Sequence, residues 1–220
     1  ALKRQLADKY KDMHIVRSAL GLYTELGLWD DVIDCYIMLE KPRKARELLA
    51  ERLALEPTPR LLCRMGQVSD SDKYYEEAWE LSKHTYAEAQ FAMGRRYYNR
   101  QQWDDAAKAF TAGVSIARHD EGHFFTLGVI HMRRQDMKAA VAAFTACVTL
   151  SHDNGKAWSN LGSCLVHLER FREAYEALVQ ASKYNRDNWK VWHNLARVSL
   201  VVRAYFKAIA AMRHICNLVP

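Results

Sequence analysis

Apolar residues of this chain recur every three or four positions, and no stretch alternates apolar with polar residues for long. The first pattern is typical of amphipathic helices and the second of strands. Short polar segments interrupt the apolar pattern, as at Asn99-Arg100-Gln101-Gln102 and Arg134-Gln135-Asp136. We therefore predict an all-α chain in which tight turns join short helices.

Four segments of the chain, 87–120, 121–154, 155–188 and 189–220, align without a gap at a spacing of 34 residues. Position 20 of every segment is Ala, position 8 is small, and position 24 is large and apolar. The residues at these three positions are Ala106, Ala140, Ala174 and Ala208, then Gly94, Gly128, Gly162 and Ala196, and then Phe110, Phe144, Leu178 and Met212. A fixed period of this length is the signature of stacked helical hairpins.

The small residues suggest how each hairpin packs. Two antiparallel helices approach closely only where one backbone carries little bulk. We expect the small residue at position 8, on the first helix, to face the Ala at position 20, on the second. One hairpin cannot bury its apolar face alone, so neighbouring hairpins have to stack. The last hairpin would leave Ile209, Met212 and Ile215 exposed unless another helix covers them.

The residues that recur in the third and fourth segments resemble a known repeat. They are Trp158, Leu161, Gly162, Ala174, Leu178 and Ala181, and Trp192, Leu195, Ala196, Ala208, Met212 and Pro220. Their order and spacing are similar to those of the tetratricopeptide repeat superfamily. The resemblance implies a right-handed superhelical solenoid of antiparallel helix pairs. Three segments lack the terminal Pro of the repeat and have Arg118, His152 and Arg186 instead, which we expect to loosen the boundaries between hairpins.

The pattern continues upstream in a weaker form. Residues 26–86 fit two divergent hairpins, 26–58 and 59–86, and residues 1–25 fit one or two further helices. Together with the four regular repeats over 87–220, they predict a single continuous solenoid. The start of the chain has neither an initiator Met nor an apolar signal core, so we expect the sequence to be part of a longer chain.

A closer likeness rests on longer motifs, namely the stretches 75–82, 147–150 and 157–161, together with Trp189 and Trp192. These motifs resemble the C-terminal repeats of the family of tetratricopeptide repeat protein 27. That family implies an intracellular helper protein without catalysis. It is linked to the assembly of large complexes, including the spliceosomal U5 particle, together with chaperone machinery.

The repeat resemblance also implies a binding surface. In tetratricopeptide solenoids the first helices line a concave face, and positions 2, 5, 6, 9, 12 and 13 of each repeat point into it. The partner-binding residues predicted in this way are Phe91, Arg95, Tyr98, Phe125, Val129, Met132, Lys156, Asn160, Lys190, His193, Asn194 and Arg197. An extended or helical peptide with apolar anchors and an acidic C-terminal half would complement this surface.

The polarity and charge of the predicted surface change along the chain. The middle is apolar, and an alternative remains open there, because Phe91, Phe125 and Met132 could instead pack between neighbouring hairpins. The C-terminal half is polar and basic. Farther upstream, the corresponding positions hold three carboxylates, those of Asp30, Asp31 and Asp34.

The predicted function is a non-catalytic protein-interaction scaffold or adaptor. Binding of a chaperone tail through a carboxylate clamp is not expected. Such clamps use Lys and Asn where this chain has Phe125 and Val129, and Arg where it has Asn194. Two elements of the clamp, Asn160 and Lys190, are present.

Single-stranded RNA is the alternative ligand. Helical repeats can stack bases on aromatic side chains that lie beside basic residues. Here the aromatic residues become rare in the last two repeats, and no repeat position carries Arg or Lys in all four repeats. The sequence therefore favours a protein partner over nucleic acid.

Composition adds few constraints. The formal net charge of +6 is spread along the chain, which weakly favours acidic partners. No apolar run reaches the roughly 20 residues of a membrane span, so no membrane partner is predicted. Five cysteines without a C-x-x-C pair fit free thiols in a reducing compartment, the cytoplasm or the nucleus.

No catalytic, cofactor or metal site is predicted. His119 and His123 are four residues apart but lie at a hairpin junction without a third ligand nearby. Adjacent carboxylates such as Asp104 and Asp105 fall at helix starts, where they offset the helix dipole. No nucleophile motif or phosphate-binding Gly-rich loop occurs. We therefore expect no enzyme activity.

Overall fold

The structure, a computed structural model, describes residues 2–218 and contains fourteen helices and no strand over that range. The helices are α1 (Leu2–Asp12), α2 (Val16–Glu25), α3 (Trp29–Met38), α4 (Pro42–Leu55), α5 (Pro59–Ser69), α6 (Lys73–Leu81), α7 (Ala87–Asn99), α8 (Trp103–Ile116), α9 (Glu121–Arg133), α10 (Met137–Leu150), α11 (Gly155–His167), α12 (Phe171–Tyr184), α13 (Trp189–Val201) and α14 (Tyr205–Leu218). None of these helices combines the length and the apolar character needed to cross a bilayer. The predicted all-α fold class is confirmed.

The chain divides into two compact units, one up to Ala92 and one from Met93 onward. In the first unit α1 packs on α2, α3 on α4 and α5 on α6, and in the second α9 packs on α10, α11 on α12 and α13 on α14. The second helix of a pair also packs on the first helix of the next, as α10 does on α11 and α12 on α13. Each unit is therefore a stack of antiparallel helical hairpins.

The small residue at position 8 packs against the large residue at position 24. The contacting pairs are Gly94 with Phe110, Gly128 with Phe144 and Gly162 with Leu178. A Cβ added to these three glycines would lie 2.5, 2.7 and 2.7 Å from the partner side chain. The expected neighbour, the Ala at position 20, is buried but is not the nearest contact. A bulky side chain, rather than a second small one, therefore fills the space that the missing Cβ leaves.

The turn inside each regular hairpin uses a left-handed residue at position 15, with φ between 58° and 62°. These residues are Gln101, Gln135, Glu169 and Arg203. In the second repeat, Gln135 N–H donates to Met132 O and Asp136 N–H donates to His131 O, both at 3.0 Å. This is the Schellman arrangement, in which Gly is the usual left-handed residue.

Replacing Gln135 by Gly is expected to raise the free energy of unfolding by about 0.5–1 kcal/mol, because Gly adopts positive φ without the steric penalty of a Cβ. Urea unfolding followed by circular dichroism measures the change. Gln135→Ala keeps the Cβ and serves as the control, for which no gain is expected. A lower unfolding midpoint for Gln135→Gly than for Gln135→Ala would contradict this interpretation of the turn.

Tryptophans at position 4 hold the loops between hairpins. Trp158 Nε1 donates to His152 O at 2.8 Å, and Trp192 Nε1 donates to Arg186 O at 2.6 Å. His152 and Arg186 occupy the position of the terminal Pro of the repeat. The two indole hydrogen bonds therefore stabilise loops that were expected to be loosened by the loss of Pro, and the sequence pattern did not reveal them.

The last hairpin exposes apolar side chains, as expected. Ile209 is 50% and Met212 45% exposed, and Ile215 is half-buried. In the three preceding repeats the residue at position 24 is at most 1% exposed. Within residues 2–218, the outer face of α14 is therefore not covered as α8, α10 and α12 are.

Candidate functional site

Most of the predicted binding residues that have exposed polar side chains lie on α11 and α13. Both helices start at a side-chain cap, because Asn154 Oδ1 accepts from Ala157 N–H at 3.0 Å and Asn188 Oδ1 accepts from Lys190 N–H at 3.1 Å. Such caps fix where a helix begins. The two helices are one repeat apart in sequence and contact each other, so they present equivalent positions next to each other.

Six residues form what we call the basic first-helix surface: Lys156, Asn160, Lys190, His193, Asn194 and Arg197. The two asparagines are half-buried and the other four side chains are exposed. Asn194 Nδ2 donates to Ser163 Oγ at 3.3 Å, and this hydrogen bond ties α13 to α11. The surface is thus built on two helices that hydrogen-bond to each other.

The cations of this surface have no partner within residues 2–218. The side chains of Lys156, Lys190 and Arg197 make no hydrogen bond or ion pair with another residue of that range. Lys156 and Lys190 are each the second residue of their helix, where the helix dipole disfavours a positive charge. These two lysines therefore contribute little to the stability of the helices, and they leave an anion-binding surface available.

The apolar part of the predicted surface is largely used for packing. Phe91 is 2% exposed, so its side chain lies in the interior, and its prediction as a partner-binding residue is corrected. Phe125, Val129 and Met132 are half-buried and pack against the core of the second unit. The Phe125 ring meets the Phe144 ring edge-on at 5.7 Å. Phe91, Phe125 and Met132 are therefore packing residues, as the alternative interpretation expected.

The remaining two predicted residues, Arg95 and Tyr98, lie on α7. Arg95 is exposed, and it interacts with another residue of the chain. Tyr98 is half-buried and meets the Trp103 ring edge-on, with 5.2 Å between the ring centroids. Tyr98 therefore helps to join α7 to α8 and offers only part of its ring to a ligand.

The upstream carboxylates are neutralised by cations from neighbouring helices. Asp34 pairs with Arg64 and also lies 3.2 Å from Lys11 Nζ. Asp31 lies 3.6 Å from Lys11 Nζ, and Asp30 lies 3.3 Å from Arg60 Nη1. Burial lowers the pKa of Lys11, but the two nearby carboxylates outweigh it and leave the pKa above its usual value. This region links α1, α3 and α5 by charge pairs and is not a free acidic surface.

The cysteines have the character of packing residues. None of the five cysteines forms a disulfide; Cys35, Cys63, Cys147 and Cys164 are buried, and Cys216 is exposed. Burial raises the pKa of Cys147 and Cys164 to about 11, so both stay protonated and weakly nucleophilic near neutral pH. Within residues 2–218, no three His, Cys, Asp or Glu side chains are grouped so that they could hold a metal ion.

Sequence reasoning missed a cavity at the C-terminal ends of α11 and α13. Two residues of the basic first-helix surface, Asn194 and Arg197, line it beside apolar side chains. One signal in the sequence could have indicated it. Val201 is apolar at a repeat position where the three preceding repeats have Asn99, Arg133 and His167.

Comparison with known proteins agrees with this architecture. The tetratricopeptide repeat family model matches residues 131–198. A tetratricopeptide repeat protein 27 homolog from Dictyostelium discoideum is 31% identical over 127 residues, which are 58% of this chain and 15% of the relative. The chain thus spans about 15% of the length of that relative.

Solved structures show the same fold at low sequence identity. The C-terminal part of a tetratricopeptide repeat protein from Cytophaga hutchinsonii has a TM-score of 0.67 at 16% identity, covering 98% of this chain and 95% of its own. YrrB, described as a tetratricopeptide protein with an unusual peptide-binding site, has a TM-score of 0.66 at 16% identity, covering 78% and 92%. The chain therefore has a tetratricopeptide repeat fold.

Proposed function

We propose that this chain is a non-catalytic protein-interaction scaffold whose basic first-helix surface binds a peptide or helix of a partner protein that carries acidic groups. The observation that carries the proposal is the set of unpaired cations, Lys156, Lys190 and Arg197, two of which occupy positions that the helix dipole disfavours. A carboxylate from a partner would supply the missing counter-charge in a charge-assisted hydrogen bond.

The comparisons support the class of function. Tetratricopeptide repeats generally mediate protein–protein interactions, and the peptide-binding description of YrrB fits a ligand of this kind. The likeness to a tetratricopeptide repeat protein 27 homolog supports a further proposal, that the partner belongs to a large complex in assembly, as the family resemblance implied. Five cysteines that form no disulfide support an intracellular location, in the cytoplasm or the nucleus.

RNA is not proposed as the ligand. A base-reading array needs exposed aromatic faces at repeated positions. Phe91 is buried, and the rings of Phe125 and Tyr98 are engaged edge-on by Phe144 and Trp103. The comparisons give no support to nucleic-acid binding either.

Reversing two charges of the surface tests the proposal. Lys156→Glu combined with Lys190→Glu is expected to reduce capture of partner proteins from cell extract at least tenfold, because each lost charge-assisted contact is worth roughly 1.5–3 kcal/mol. Quantitative mass spectrometry of proteins retained by the immobilised chain measures the effect.

The matched control reverses two lysines on second helices, Lys138 on α10 and Lys183 on α12, both exposed. Lys138→Glu combined with Lys183→Glu changes the net charge equally and should leave the captured set unchanged. The same loss in both double variants would mean that general charge, and not this surface, retains the partners. No loss in either would contradict the proposal.

A further inference from the structure

The cavity at the ends of α11 and α13 has a volume of about 260 Å³. Its lining residues are Val166, Phe171, Asn194, Arg197, Val198, Leu200 and Val201, of which five are apolar. Pockets for small molecules generally begin at roughly 300 Å³. This cavity is therefore of a size to receive one large apolar side chain rather than a whole small molecule.

Two walls of the cavity are apolar and open to solvent. Leu200 is 47% and Val201 57% exposed. Position 13, which Val201 occupies, holds Asn99, Arg133 and His167 in the preceding repeats, so the repeat itself does not require an apolar residue there. Exposed apolar side chains that line a concave feature indicate an interaction site.

The rim of the cavity is positively charged. Arg197 lines the cavity itself, and an adjoining depression that shares Phe171 and Val201 adds Arg172 and Arg203. Among residues 2–218, Glu169 is the one acidic residue that lines either depression. None of these three arginine side chains makes an ion pair or hydrogen bond with another residue of 2–218. The three guanidinium groups outnumber the single carboxylate, so the rim is complementary to an acidic ligand.

We propose that this arginine-rimmed cavity binds a peptide segment of a partner protein in which one large aliphatic or aromatic side chain is flanked by acidic residues. The apolar side chain fills the cavity between Phe171, Leu200 and Val201. A neighbouring carboxylate pairs with Arg197, whose planar guanidinium can donate two parallel hydrogen bonds to the carboxylate oxygens. The inference rests on the proposed function and names the partner chemistry at one end of the basic first-helix surface.

The test is a peptide-library selection with the 220-residue chain. Octapeptides with blocked ends are offered in four classes: acidic with one Leu or Phe, acidic without an apolar residue, basic with one Leu or Phe, and uncharged with one Leu or Phe. The first class is expected to be enriched at least tenfold over each of the others. Because electrostatic attraction is screened by salt, its enrichment should fall at high ionic strength.

Two substitutions copied from the preceding repeat locate the binding. Val201→His installs the residue type of His167, and Arg197→Ser installs that of Ser163. Both positions are exposed, so the fold should tolerate the changes. Each substitution is expected to reduce enrichment of the first class at least tenfold. The controls, Leu150→His on α10 and Arg213→Ser on α14, alter residues that are also exposed but lie outside the cavity, and they should have no effect.

Several outcomes would overturn the inference. Enrichment of the basic or uncharged peptide class would show that the proposed ligand chemistry is wrong. Enrichment of the first class that Val201→His does not reduce would show that the peptide binds outside the cavity. A concentration-dependent dimer that Val201→His abolishes would assign the cavity to a second copy of the chain. The Lys156 and Lys190 reversals could reduce partner capture while Val201→His leaves the enrichment of the first peptide class unchanged. In that case the proposed function stands and this inference alone fails.

Discussion

Replacing Phe144 by Ala is expected to lower the free energy of unfolding by about 3–5 kcal/mol, the usual cost of removing a buried aromatic side chain. Phe144 is fully buried, its ring fills the space beside Gly128, and it meets the Phe125 ring edge-on. Removing the ring would leave a cavity between α9 and α10 that the helix backbones cannot close. The measurement is chemical denaturation followed by far-ultraviolet circular dichroism.

The chain offers a matched control for this substitution. Phe206 also lies on a second helix but is 92% exposed, so Phe206→Ala should change the free energy of unfolding by no more than about 0.5 kcal/mol. Losses of similar size for the two variants would mean that the hairpin contact between positions 8 and 24 does not stabilise the stack.

The repeat spacing was sufficient to predict the helical hairpins but not the contact that joins the two helices of each. Positions 8, 20 and 24 were recognised as special from their composition. Which of them touch depends on how each helix is rotated about its axis, and the spacing alone does not define that rotation. The structure pairs Gly128 with Phe144 and leaves Ala140 as a buried neighbour.

The candidate site shows the same division between what sequence predicts and what it does not. Lys156, Lys190 and Arg197 were predicted correctly as exposed, because a long charged side chain on a first helix stays in solvent wherever the helix allows it. Phe91 was placed on the surface although it is buried, because an aromatic residue at a groove position can also turn toward the neighbouring helix.

Features that arise between repeats were harder to predict. Asp34 was counted as a surface charge, yet Arg64 and Lys11, which are distant in sequence, neutralise it. The cavity beside Arg197 combines ends of two first helices with Phe171 from a second helix. A pattern read within one repeat contains no information on which residues of another repeat will lie next to it.

Gly155 supplies the second prediction of large effect, and its role has no signal in the repeat pattern. A Cβ at Gly155 would lie 2.8 Å from the carbonyl carbon of Tyr184 and 2.9 Å from its oxygen. Backbone atoms cannot move aside as a flexible side chain can. Gly155→Ala is therefore expected to lower the free energy of unfolding by about 1–3 kcal/mol, the range for overpacked sites, even though Ala favours helix more than Gly does.

Gly21→Ala separates helix propensity from the steric effect. Gly21 lies on α2, and a Cβ there would meet no atom of residues 2–218 outside its own helix within 4 Å, so this variant should gain up to about 1 kcal/mol. Opposite signs for the two glycine substitutions, measured by denaturant unfolding, are the expected result. A gain for Gly155→Ala as well would mean that α11 and α12 can shift apart where Gly155 meets Tyr184, and the close approach between these two helices would then not be needed for stability.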